Sequence, residues 1–225
     1  MRVVLFLLLL TLTACPKQEE YPELVELTFV LPARIVPGGD TTALGDTLWI
    51  ELNTPDSLLD LRSNRRYRIA GEEVMLRSSV GFYKLLGPTQ APAGYARGFT
   101  VVPDVGRIQQ GSGTSVRFEP VYANRQHRAR LGIVPRERGV FALSIITSLP
   151  EPYGPEQPLP FLTLPLGADG RARRAMLDNI YYVLNDGNVH FALQQQHSRV
   201  VSTQPSPTED AVYYEQKSTF TFVVR

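Results

Sequence analysis

The groups in this chain that could do chemistry are few in kind. There is one thiol, Cys15, three imidazoles, His127, His190 and His197, and 22 carboxylates. His190 and His197 are two helical turns apart and would share a helix face. A zinc site needs further ligands, and the nearest carboxylates, Asp178 and Asp186, lack a matching spacing. The reading is therefore surface or hydrogen-bonded histidine. His127 lies in Asn124-Arg125-Gln126-His127-Arg128, which reads as a polar turn. Glycoside hydrolysis needs two carboxylates about 5–9.5 Å apart, and acyl transfer needs serine, histidine and an acid held together. The ingredients of both are present, but no pattern selects a set. Gly-x-Ser-x-Gly, HExxH, P-loop and GxGxxG motifs are absent from the sequence. The expectation is a protein with no catalytic residues, no metal and no cofactor. Exposed aromatics could instead stack on sugar rings. Trp49, Tyr181 and Tyr213 are the candidate ligand contacts, although strands favour tyrosine for packing alone.

The thiol has the most informative surroundings. Met1 and Arg2 precede an apolar run, Val3 to Leu12. That run is too short for a bilayer span of about 20 residues and fits the apolar core of a secretory signal. Leu12-Thr13-Ala14-Cys15 follows, and it resembles the lipobox of bacterial lipoproteins. The resemblance implies that the Cys15 thiol is alkylated by a diacylglyceryl group, that residues 1–14 are cut away as a signal peptide, and that the new amine is acylated. Each buried acyl methylene is worth about 0.8 kcal/mol, so several chains anchor stably where one is marginal. Pro16 stands where an inner-membrane retention signal would place Asp. Lys17-Gln18-Glu19-Glu20 resembles the surface-export signal of Bacteroidota lipoproteins, with a solvated tether as the plain alternative. The expected partner is the membrane, through the lipid. The expected location is the outer membrane, on its periplasmic or cell-surface face.

Composition agrees with an exported β-rich protein. Charge is nearly balanced, 23 cations against 22 anions, so no global field points to nucleic acid. All the cations except Lys17, Lys84 and Lys217 are arginines. With one cysteine there is no disulfide. Seventeen glycines and 18 prolines suit short strands and turns rather than a helical bundle.

The elements follow from periodicity. Val25, Leu27, Phe29 and Leu31 alternate with polar residues as in a half-buried strand. Pro32 to Asp46 reads as a loop. Leu48, Ile50 and Leu52 share one strand face, and Trp49 and Glu51 the other. This opening, ending in GDTLWI, resembles Bacteroidota lipoproteins and the first strands of bacterial immunoglobulin-like modules. It implies a β-sandwich start and no activity. Pro55 to Leu61 reads as a helical turn capped by Asp56 or Ser57. Arg62, Arg65, Arg66 and Arg68 read as a solvated turn, with an anion contact as the alternative. Strands are expected around Gly71 and Gly81, at Phe99–Val102, Val105–Gln110, Ser115–Glu119, Leu131–Val134 and Val140–Thr147, with Arg136–Gly139 as a turn. The proline-rich segment 149–160 is a crossover or a domain boundary. Arg171–Val183 fits helix or strand equally. Val189–His197 reads as a short helix with Val189, Ala192, Leu193 and Gln196 on one side, and Asn185–Asn188 offers an N-cap. Val212–Tyr214 and Thr219–Val224 read as a closing hairpin.

The expected fold is thus all-β, an immunoglobulin-like β-sandwich over residues 24–225 with one short helix near 189–197, joined to the membrane by a tether over 15–23. The expected role is non-catalytic: binding, or accessory service to an outer-membrane complex through an envelope-protein or glycan partner. A glycan-binding lipoprotein of a polysaccharide-uptake system and an envelope hydrolase are the alternatives.

Overall fold

The computed structural model describes residues 21–68, 76–109, 111–148, 158–198 and 216–225. The chain opens with β1 (Glu23–Val36), β2 (Thr41–Thr42), β3 (Leu48–Pro55), β4 (Ser57–Asp60) and β5 (Arg66–Arg68). Next come β6 (Arg77–Leu85), β7 (Ala93–Gly94), β8 (Phe99–Val105), β9 (Arg107–Gln109) and β10 (Ser115–Glu119). Then follow β11 (Val121–Ala123), β12 (Gln126–Pro135), β13 (Gly139–Ser148), β14 (Pro158–Thr163), β15 (Arg173–Leu184), the α-helix α1 (Phe191–His197) and β16 (Thr219–Val224). The protein is an all-β sandwich with one short helix.

One row of strands runs β12-β3-β1-β15, with β8 and β11 beyond β12. The other runs β16-β13-β6-β10-β9. The two rows join through one residue pair, Ile146 with Tyr181. Elsewhere they pack face to face. Phe99 of the first row stacks on Phe82 of the second at 4.8 Å and meets Phe141 edge-on at 5.0 Å. The buried Tyr182 hydroxyl sits 3.2 Å from Ser78 Oγ across the same gap. Burial pushes that phenol up to about 12, against the opposing pull of its Ser78 and Thr147 hydrogen bonds. The chain changes rows at Arg136–Gly139: β12 pairs with β3 and β8, β13 with β6 and β16. Gly139 turns there at φ 145°, a conformation open to glycine.

β3 shows the expected alternation, with Leu48, Ile50 and Leu52 buried and Trp49 and Glu51 half-buried. The structure corrects several other expectations. β1 does not stop at Pro32 but continues to Val36, with Leu31, Ala33 and Ile35 buried in strict alternation. Residues 57–60 are strand β4, not a helical turn, because they pair with β1 and β5. The strand expected around Gly81 is β6, in which a Cβ at Gly81 would come within 2.9 Å of Ser144 Oγ. His127 belongs to a buried strand position rather than a polar turn.

The ambiguous segment 171–183 is strand from Arg173 onward. β15 pairs in parallel with β1, burying Leu177, Ile180, Tyr182 and Leu184. The helix forms where expected, but its cap is His190 at φ 57° rather than Asn185–Asn188, and Ala192 and Gln196 are exposed. Phe191, Leu193, Gln194 and His197 are half-buried instead. His190 accounts for the difference. Its Nδ1 lies 2.8 Å from the Thr221 carbonyl and its ring lies 4.9 Å from Phe220, so it pins the helix start to β16. Gly71, most of segment 149–160 and strand 212–214 fall outside the described residues.

Candidate functional site

The chemistry-bearing site arises where a strand ladder opens. β1 pairs with β3 from Ala33 to Val36 and with β4 at Phe29 and Val30. Between those stretches Leu31 and Pro32 have no partner from β3 or β4. Proline has no N–H to give a ladder, and Pro32 and Pro55 both fall at this break. There β3 leaves β1 and follows β12, with Asn53, Thr54 and Pro55 opposite Arg128, His127 and Gln126. The chain then bends at Asp56 and returns to β1 as β4. The opening is a cleft of about 330 Å³. Val30, Pro32, Leu59 and Val183 wall it, and Arg66 and Asp186 stand at its rim. Asn185 and Asp186 hold φ of 48° and 55°, conformations that cost non-glycine residues and concentrate at functional sites.

Beneath the bend lies a polar cluster. Asp56 is buried, and its backbone N–H donates to the Arg125 carbonyl at 3.0 Å. Its Oδ2 accepts from Arg68 Nε at 3.1 Å, Arg125 Nε at 3.3 Å and the Tyr122 hydroxyl at 3.3 Å. Burial alone would raise this carboxyl. The Arg125 hydrogen bond and charge, the Tyr122 hydroxyl and the Arg68 charge outweigh burial and hold it below its ordinary 3.8. Asn124 and Arg125 form the two-residue turn between β11 and β12, both at positive φ, 52° and 62°. Such a turn prefers glycine second. Arginine there takes on backbone strain and delivers a guanidinium to Asp56.

His127 stands beside this cluster, opposite Thr54 in β3 and Tyr122 in β11, with its ring 4.9 Å from the Tyr122 ring. It is 1 % exposed, and neither nitrogen bonds to a described protein group. Burial pushes its imidazole below the ordinary 6.5, against the pull of the Asp56 charge. The fold therefore holds it neutral while the unfolded chain gains a proton as pH falls through 6.5. Its contribution is complete above that pH and declines below it, by at most about 1.4 kcal/mol per pH unit. His127→Phe, which keeps a ring against Tyr122, is expected to remove this decline. Urea midpoints at pH 7.5 and 5.0 check it; an unchanged drop would contradict the assignment.

The structure separates the residues singled out in the sequence. Trp49 is half-buried, and the Arg130 guanidinium lies 3.8 Å over its ring. Arg130 is held there by Glu51 at 3.2 Å and Asp104 at 2.6 Å. One face of the indole is thus covered. Arg130→Ala is expected to move the emission of this single tryptophan to longer wavelength and to cost about 0.5–1 kcal/mol; an unchanged spectrum would contradict the stacking. Tyr181 is buried, and its hydroxyl accepts from Asn179 Nδ2 at 2.9 Å. Trp49 pairs with Val36 and Tyr181 with Val30, on opposite sides of β1, so they form no common strip. Tyr213 and Cys15 lie outside the described residues. Arg62 bridges Glu26 at 2.6 Å and Asp178 at 2.7 Å, while Arg66 and Arg68 turn to the cleft and to Asp56. Among the described residues no group of three or more His, Cys, Asp or Glu side chains is gathered to hold a metal.

The sequence places Arg125 in a turn, as the structure does, but gives neither its partner Asp56, which reads as a helix cap, nor the buried strand position of His127. The available signal was a pair of prolines, Pro32 and Pro55, in otherwise regular strand patterns, together with an Asn-Arg turn where Asn-Gly would be ordinary.

No family model and no curated protein matches the chain. Among solved structures, it is similar to the reeler domain of human F-spondin at 9 % identity and a TM-score of 0.32, over 71 % of this chain and 88 % of that one. It is also similar to a non-cellulosomal cohesin from the hyperthermophilic archaeon Archaeoglobus fulgidus, at 8 % identity and a TM-score of 0.28, over 71 % of this chain and 91 % of that one.

Proposed function

We propose that this protein is an exported lipoprotein of a bacterial outer membrane whose β-sandwich acts by binding, alone or as an accessory to an envelope complex, rather than by catalysis. The observation that carries the anchor is the sequence Leu12-Thr13-Ala14-Cys15 directly after the apolar run Val3–Leu12. The placement of β1 supports it. Residues 16–22 reach at most about 25 Å when fully extended, so the Glu23 end of β1 would lie close to the lipid. That end exposes Tyr21, Leu24 and Leu166. It also carries Arg173, paired with Glu23 at 2.7 Å, and Arg174, opposite Leu24 in the ladder. Aromatic and aliphatic side chains among arginines suit contact with a lipid headgroup layer.

Binding is supported by the cleft, which has apolar walls and a charged rim, the usual makeup of a small-ligand site. The glycan alternative draws no support from Trp49, whose ring is covered on one face by Arg130, or from the buried Tyr181. Detergent phase separation of cell extracts tests the anchor. The wild type is expected in the detergent phase and Cys15→Ala in the aqueous phase; a wild type in the aqueous phase would overturn the reading.

A further inference from the structure

We propose that the cleft between β1 and β4 binds a small amphiphilic carboxylate, with its apolar body against Val30, Pro32, Leu59 and Val183 and its carboxylate on Arg66 of β5. The inference rests on the binding role proposed above and not on the lipid anchor.

The geometry of β5 is the starting point. Tyr67 points inward, packing edge-on against Phe29 at 6.4 Å. Its neighbours Arg66 and Arg68 therefore share the outer face, about 7 Å apart along the strand. Arg66 stands opposite Leu59 and Arg68 opposite Ser57. Arg66 uses Nη1 to donate to the Ser57 carbonyl at 3.1 Å. Arg68 and Arg125 each meet Asp56 through Nε, and their side chains are 67 % and 71 % exposed. Of the three, Arg66 lines the cleft, and its Nη2 edge faces no partner among the described residues and can recognise an anion, while Arg68 and Arg125 add positive charge beside it.

Charge and size narrow the ligand. Arg68 and Arg125 share one carboxylate, Asp56, and Arg66 adds a third guanidinium that bonds the neutral Ser57 carbonyl, so this side of the opening keeps a positive excess. Guanidinium and carboxylate match as paired, charge-assisted hydrogen bonds. Asp186, on the facing rim, is exposed and lines the same cleft. It would repel a second anionic group, so the ligand carries one. A volume of about 330 Å³ lies at the lower end of the roughly 300–1,000 Å³ of small-molecule sites, which admits a short acyl or aryl body and excludes a long lipid.

The test uses the full chain carrying Cys15→Ala, so that no attached acyl group competes, with octanoate, 1-octanol and octylamine as probes below their aggregation concentrations. Binding is followed by backbone amide shifts of Val30, Leu59 and Val183. Octanoate is expected to saturate these shifts and to bind about 10-fold or more tighter than octanol. Arg66→Ala should weaken octanoate by about 10-fold and leave octanol unchanged, which also shows that the cleft still folds. Asp186→Asn should strengthen octanoate. Equal binding of octanoate and octanol, tighter binding of octylamine, or no effect of Arg66→Ala would overturn the proposal. Detergent partition of the wild type is independent of every one of these outcomes, so failure here and failure of the anchor are distinguishable.

Discussion

Replacing Phe141 with alanine is expected to destabilise the protein by about 3–5 kcal/mol, the range for truncating a fully buried aromatic. Phe141 has no exposed surface. Its ring meets Phe99 at 5.0 Å, Phe222 at 6.1 Å and Tyr95 at 6.3 Å, with Lys84 Nζ 5.8 Å from its centroid. It thus contacts β8 from one row and β16 from the other. β13 is bonded along its length to β6 and, over its first half, to β16. It cannot move inward to fill the void, so the cavity cost adds to the lost transfer energy. Urea denaturation of the wild type and Phe141→Ala measures this. A loss under about 1 kcal/mol would mean that the rows do not meet at this ring.

The double variant Arg68→Ala/Arg125→Ala is expected to lose a comparable amount at neutral pH, about 3–5 kcal/mol, because it strands the buried Asp56 carboxylate without a cation. The converse change is milder. Asp56→Ala releases two largely exposed arginines to water, at a cost of about 1.5–3 kcal/mol for the charged hydrogen bonds. Adding Asp56→Ala to the double variant should therefore restore stability, a strongly non-additive cycle. The pH dependence follows from the direction of the shift. In the wild type the Asp56 carboxyl is held below 3.8, so its contribution is complete above that pH and fades as pH falls through the folded value. In the double variant only burial and the Tyr122 hydroxyl act strongly, so the carboxyl rises and takes a proton earlier. Its deficit against the wild type should shrink between pH 7 and pH 4.5. A deficit that is constant over that range, or additive single changes, would remove Asp56 from the centre of the cluster.

How much of this was legible depended on whether local pattern and long-range pairing agreed. The alternation of Leu48, Ile50 and Leu52 is a property of one strand, and β3 formed as its pattern required. β15 was ambiguous because Ala172, Ala175 and Met176 suit a helix; the parallel ladder with β1 decided it. Pro32 ended the strand in a purely local reading. In the fold it sits where β1 changes partner from β4 to β3, so the missing donor breaks no antiparallel pair. His127 looked solvated because its sequence neighbours are arginines and glutamine. Alternation along β12 turns it inward between β3 and β11, while Arg128 stays exposed. Asp56 resembled a helix cap because the residues that occupy its oxygen, Arg68, Tyr122 and Arg125, lie 12 to 69 positions away. The cleft was hidden for the same reason: its walls come from four separate segments.

The membrane anchorage proposed for this protein stands on Cys15. Intact-mass and N-terminal peptide analysis of the protein from its native membranes addresses that directly. The prediction is a chain beginning at Cys15 whose first residue carries the mass of a diacylglyceryl thioether and an amide-linked acyl chain. A chain that still holds residues 1–14, or one with an unmodified Cys15, would contradict it.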